Sequence, residues 1–220
     1  MNVGEVATAF RVYIDEPDQT FVNDAQVELW LERAYDDFRA MVTEIDPYVY
    51  ARQQVYSLSS ARTLDLAAAA PPILGSTAAA GARIYQLINI YEIESTALPN
   101  NIVNVLGPSI SETSTYEQRS NYTLRGTELV FPSEVTMDIR IDYIPEPNVT
   151  WAGLTAAYID DLTRFHDIIA LVAYLQYAIV DAASNQELNT QLMRRIEQLR
   201  AYLEARSGGV VERVVDVRWM

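Results

Sequence analysis

Apolar and polar residues alternate without a break from Val135 to Tyr143. Val135, Met137, Ile139, Ile141 and Tyr143 share one parity, and Thr136, Asp138, Arg140 and Asp142 the other. A period of two is that of a strand with one buried face. Pro145 and Pro147 cannot donate to a sheet ladder, so the strand is expected to finish near Ile144. Past a polar gap, residues 160–180 read DDLTRFHDIIALVAYLQYAIV. This nearly all-apolar stretch predicts a core helix starting after Asp160 or Asp161, whose carboxylates suit the positive end of a helix dipole. Its buried stripe is expected to be Leu162, Phe165, Ile168, Val172, Leu175 and Ile179.

Helical spacing dominates both ends of the chain. Residues 3–13 predict a first helix, followed by the acidic turn Asp15-Glu16-Pro17-Asp18, which lacks the spacing of a calcium loop and reads as solvated. Asn23 and Gln26 form a capping pair for a second helix, with Val27, Leu31, Ala34, Phe38, Met41 and Ile45 on one face and Asp46-Pro47 as its end. Trp30 and Tyr35 lie off that seam, available to a second layer or to a partner subunit. Near the C-terminus, Ser184 and Glu187 make a second capping box ahead of Leu188, Leu192, Ile196, Leu199 and Leu203. That helix should reach about Arg206 and stop at Gly208-Gly209, leaving VVERVVDVRWM as an extended arm.

The middle reads differently. Strands are predicted at 54–58, 83–94 and 102–106, the second apolar on both parities and so expected to be covered on both sides. The run LDLAAAAPPILGSTAAAGA reads as a loop or extended excursion, and residues 107–120 as a polar loop. Arg125-Gly126-Thr127 should turn one strand into the next, with Pro132-Ser133 making the following reversal. The expected fold is α+β, mainly α: a helical bundle with a small antiparallel sheet excursion and an extended C-terminal arm. Its boundaries are 1–47 for the N-terminal helices, 48–150 for the β-rich excursion, 151–206 for the C-terminal helices and 207–220 for the arm, all within a single domain.

Composition narrows the function. Half of the 220 residues are hydrophobic, enough for a substantial core. No apolar run approaches the roughly 20 residues of a membrane span, and residues 1–17 do not resemble a signal peptide. There are no cysteines, which removes disulfides, thiolate metal sites and Cys nucleophiles, and fits an intracellular or virion setting. The formal charge is -14, and all 16 basic residues are arginine. The missing lysine excludes Schiff-base catalysis and the lysine of phosphate-binding loops. The acidity gives no drive toward phosphate backbones, so direct DNA binding is not expected.

No constellation predicts an enzyme. His166 is the sole histidine, with Asp160, Asp161 and Asp167 close in sequence, but acids gather at helix N-termini for dipole reasons and a lone His there is ordinarily structural. The stretch Gly75 to Gly81 has the wrong spacing and no lysine for a phosphate loop. No metal or cofactor is expected. Fourteen tyrosines, three tryptophans and an all-arginine cation set match the residues that anchor protein interfaces. Trp30, Tyr35 and Trp151 are the candidate subunit-interface residues. In the arm, Val210, Val211, Val214, Val215, Val217, Arg218 and Trp219 are suited to fold back on the chain's own domain or to add to a partner's sheet or groove.

Taken together, VELWLERAYDDF, YTLRGTELVFP, IRIDYIPEP and FHDIIALVAYLQYA, set in the order helices, sheet, helices, resemble the tailed-phage head-to-tail adaptor (connector) family over roughly residues 3–206. The Ala-rich segment near 67–82 departs from that pattern. The resemblance implies a structural virion protein at the head-tail junction, assembled from host cytoplasm as a homo-oligomeric ring, commonly of twelve copies, beneath the portal protein. Such a ring extends the DNA channel without binding DNA specifically and offers a surface to tail tube, hub or nozzle proteins. The arm residues Val210 to Trp219 would then be the portal-binding element, and an acidic channel wall would let DNA slide. The alternatives are a tail-completion or tail-hub protein and a non-viral ligand-binding or regulatory domain.

Overall fold

A computed structural model describes residues 1–16, 21–76, 78–79, 81–108, 121–180 and 186–207. Two compact units are distinguished, residues 1–49 with 149–220, and residues 50–148. Among the described residues, 42 % are helical and 30 % lie in strands, and four strands close a barrel. The expectation of a mainly helical bundle with a small excursion is therefore corrected: the β unit is a folded body with its own core.

The helical unit begins with α1 (Val3–Tyr13) and α2 (Asp24–Ile45), each opened by a reciprocal capping box, Asn2 with Glu5 and Asn23 with Gln26. Both boxes satisfy backbone donors that the first helical turn leaves orphaned. Val3, Val6, Ala7 and Phe10 of α1 and Val27, Leu31, Ala34, Phe38 and Val42 of α2 are buried. Arg11 links the two helices, its guanidinium donating to the Val22 carbonyl at 3.1 Å and to Asp24 at 2.6 Å.

After residue 149 the chain makes only two short 3₁₀ turns, Ala152–Leu154 and Thr163–Phe165, before α3 (Asp167–Val180), which starts later than the expected Asp160 or Asp161. Asp160 is used differently: its carboxylate accepts from the Leu162 amide at 2.8 Å and faces the His166 ring at 2.7 Å, which ties this stretch down while Asp161, Thr163 and Arg164 stay exposed. The expected stripe changes with it. α3 buries Ile168, Ile169, Ala170, Leu171, Ala173 and Tyr174, while Ile179 is exposed. A helix apolar on every side gives periodicity nothing to select. α4 (Gln186–Ser207) buries Leu192, Leu199 and Leu203 and is clamped by Arg195, which donates from Nε and Nη2 to both oxygens of Asp167, at 2.6 and 2.7 Å. The proposed cap at Ser184 lies outside the described residues.

The β unit is built on one long strand. β1 (Arg52–Asp65), β2 (Ile84–Ile93), β3 (Ile102–Pro108), β4 (Asn121–Arg125) and β5 (Glu128–Pro145) form a sheet in the order β1-β5-β2-β3-β4, with β4 also paired to β5. β1 accompanies one side of β5, from Arg52 opposite Tyr143 to Asp65 opposite Glu128. The other side is shared by β4 at residues 128–130 and β2 at residues 138–145. The ring β5-β2-β3-β4 closes through a short parallel contact of Gly107 and Pro108 with Asn121 and Tyr122.

Pro132-Ser133 does not reverse the chain as expected; β5 runs straight through it. Between Val130 and Val135 the register with β1 shifts, and on the other side β4 has ended while β2 has not begun. A proline there forfeits no ladder bond, and such irregularities bend a strand. The real turn is at Gly126, whose φ of +58° favours glycine. Tyr56, Leu58, Ile90, Leu106, Tyr122, Leu129, Phe131, Ile139, Ile141 and Tyr143 fill the core. Part of the Ala-rich segment joins them: Leu66 and Ile73 are buried, and Ile73 donates to the Leu66 carbonyl at 2.9 Å while accepting from the Ile84 amide at 2.8 Å.

Candidate interaction surface

The three aromatic residues singled out for a subunit interface do not share one fate. Tyr35 is 3 % and Trp151 5 % exposed, their rings 5.8 Å apart inside the helical unit. Tyr35 also donates its hydroxyl to Asp160 at 3.3 Å, and burial pushes its pKa well above the usual tyrosine value. The protomer's own core consumes both surfaces, which corrects them as anchors for a partner. Trp30 is half-buried, packed edge-on against Tyr177 at 5.4 Å and tilted against Phe10 at 5.8 Å. The arm residues Val210, Val211, Val214, Val215, Val217, Arg218 and Trp219 lie outside the described residues.

His166 is fully buried. Its Nδ1 is 2.6 Å from the Met1 carbonyl, which only accepts, and its Nε2 is 2.7 Å from Asp160 Oδ1. Phe38 packs edge-on against the ring at 6.4 Å. Both nitrogens are engaged with the fold, so the arrangement ties the chain start and the 160–166 loop to the bundle and leaves no face for a substrate. Among the described residues no three His, Cys, Asp or Glu side chains are grouped to hold a metal ion, and no helix is long and apolar enough to cross a membrane.

The surface that sequence reasoning missed is on the β2–β3 hairpin. Leu98, Ile102, Val103 and Val105 are all exposed, Ile102 by 46 %, Val103 by 63 % and Val105 by 55 %. The signal was present as IVNV, apolar on both parities of a strand, but which side lacks cover depends on pairing that no local pattern reports.

A buried pair fixes the tip of this hairpin. Arg140 and Asp142 fall on the parity expected to face solvent, yet both are buried. Arg140 Nη1 donates to the Pro99 carbonyl at 3.0 Å and to Asn100 Oδ1 at 3.2 Å, Nη2 donates to Asp142 at 3.2 Å, and the guanidinium lies 4.6 Å over the Tyr91 ring. Burial raises the Asp142 pKa, opposed by the Arg140 charge. A buried arginine that spends its donors on turn carbonyls holds the turn in one conformation. The hairpin therefore presents its apolar strand pre-organised.

Charge is uneven as well. Residues 1–49 carry eleven acids against three arginines, and on α2 the side chains of Glu32, Asp36, Asp37 and Glu44 are exposed. By contrast, no charged residue occurs between Glu94 and Glu112. No protein-family model matches the chain, and neither does any curated protein.

Proposed function

We propose that this protein is a structural virion component, a head-to-tail adaptor that forms a ring under the portal, extends the DNA channel and offers the tail its attachment surface. One observation carries the reading. The phrases that resemble the adaptor family are the residues that build the two units: YTLRGTELVFP and IRIDYIPEP make β4 and the β5 spine, VELWLERAYDDF makes α2, and FHDIIALVAYLQYA makes α3. A resemblance confined to loops would say much less about the body that has to assemble.

Two features support it. The rigid β2–β3 hairpin with its uncharged apolar strand suits docking to another protein. The exposed carboxylates of α2 are suited to a wall past which DNA slides, since like charge suppresses phosphate contacts. The arm, residues 210–219, is the portal-binding segment in this reading, and the protein acts without catalysis or a cofactor.

Co-expression with the cognate portal, followed by affinity purification, tests it. The full chain should co-purify with portal, and a chain lacking residues 208–220 should not. Unchanged retention of the truncated chain sinks the role given to the arm. Rings that form with tail proteins but never with portal would favour a tail-completion or tail-hub protein, and a monomer or dimer in the presence of both would favour a ligand-binding or regulatory domain.

A further inference from the structure

The sheet has two edges that differ in charge. β1 pairs with β5 on one side, and its other side carries Arg52, Gln53, Arg62 and the irregularity at Ser60, where φ is +47°. Charge and kinks of this kind are how natural sheets block unwanted pairing. β3 carries no charge, and its one irregularity is a register shift against β2 that leaves Val103 without a partner there. Residues 102–106 pair with β2 on one side, and among the described residues β3 meets β4 only at Gly107 and Pro108. Among the described residues no strand lies on the other side of Ile102–Leu106; Ile102, Val103 and Val105 are exposed, the stretch itself carries no charge, and the Val105 amide donates to Asn104 Oδ1 at 2.9 Å.

A segment of the same chain has a sequence suited to that edge. In the arm, Val211, Val215, Val217 and Trp219 share one parity with Arg213, and Val210 and Val214 share the other with Glu212, Asp216 and Arg218. Its two acids, Glu212 and Asp216, are matched by Arg213 and Arg218. In a protein of formal charge -14, a neutral arm approaching a neutral edge is the pairing least opposed by self-repulsion. Length also fits: ten extended residues span about 33 Å, against about 17 Å for the five positions of the edge, leaving slack beyond the Gly208-Gly209 hinge.

We propose that residues 210–219 of one copy add as a strand to the open β3 edge, Ile102–Leu106, of a neighbouring copy. The contact is head-to-tail, since the donor and acceptor surfaces differ, and repetition of such a contact closes a ring when the rotation permits. It goes beyond the adaptor reading above and does not depend on it. The pairing itself is a property of the protein without portal. Portal and the edge then compete for one arm, which confines the pairing to the free protein.

A chain with no cysteine makes the test direct. Val103→Cys and Val217→Cys are made in separate chains, mixed and oxidised. Disulfide heterodimer should exceed by about tenfold that formed by Val217→Cys with Ala40→Cys, an exposed control on α2. Adding Val105→Lys to the Val103→Cys chain should remove the excess, because a charge blunts the edge. Both edge positions are exposed, so an unchanged circular dichroism spectrum verifies folding. A yield equal to the control, or one indifferent to Val105→Lys, overturns the proposal. So does closure of a doubly substituted chain on itself where mixed single variants give nothing. Failure to assemble on portal would sink the adaptor reading and leave this result standing.

Discussion

Replacing Arg140 by leucine tests whether the buried pair organises the β2–β3 hairpin. The substitution keeps much of the buried volume but leaves Asp142 without its cation, and the Pro99 carbonyl and Asn100 lose their donor. Breaking a buried ion pair from one side costs about 3–5 kcal/mol, because the remaining charge is left uncompensated. Replacing Asp142 as well, in Arg140→Leu/Asp142→Leu, should recover most of this, leaving a deficit of about 1 kcal/mol, since a well-packed apolar pair often equals the ion pair. The sign with pH follows from Asp142. Burial raises its pKa, and removing Arg140 takes away the influence that lowers it. A carboxyl with a raised folded pKa contributes stability that is complete below its unfolded value and is lost as pH rises through the folded value. The Arg140→Leu protein should therefore regain stability on acidification from pH 7 to pH 5, and the double variant should not. Urea unfolding at both pH values, with amide exchange at residues 98–106, measures it. A single-variant loss under about 1 kcal/mol with no pH dependence would refute the reasoning.

Three further outcomes follow from the geometry. His166→Phe should cost about 3 kcal/mol in urea unfolding, because Asp160 and the Met1 carbonyl lose a buried partner; a neutral result would mean the network does not hold the 160–166 loop. Gly81→Ala should cost about 2 kcal/mol by the same assay, since φ is +72° and a Cβ there would sit 2.8 Å from the Asn148 Cβ. Burial raises the pKa of Tyr35, Tyr56 and Tyr143 above the ordinary 10.0, so their contribution is complete below about pH 10 and is lost as pH rises toward the folded values. Alkaline titration followed by tyrosinate absorbance should thus show these three ionising only as the protein unfolds.

The parts legible in the sequence were those with local causes. The first helix and the Asn23–Gln26 cap need only neighbouring residues, and the strands near 54–58, 83–94 and 102–106 follow from short patterns. The remainder depends on contacts distant in sequence. Pro132 looked like a turn because its tolerance in β5 comes from a register shift against β1 and the gap between β4 and β2. Asp160 looked like a helix cap, but its partners are His166, Leu162 and Tyr35. Arg140 and Asp142 looked solvated because alternation cannot show that the β2–β3 turn covers their face. Aromatic content pointed to interfaces, yet Tyr35 and Trp151 belong to the core, while the aliphatic Ile102, Val103 and Val105 of β3 are exposed.

The adaptor reading is tested most directly by electron microscopy of the purified cognate portal mixed with this protein. The account predicts a second ring stacked coaxially on the portal, its copies in register with portal subunits, its channel continuous with the portal's, and no ring when residues 208–220 are deleted. Portal particles that remain bare at saturating protein, with the full chain folded and in excess, would contradict it.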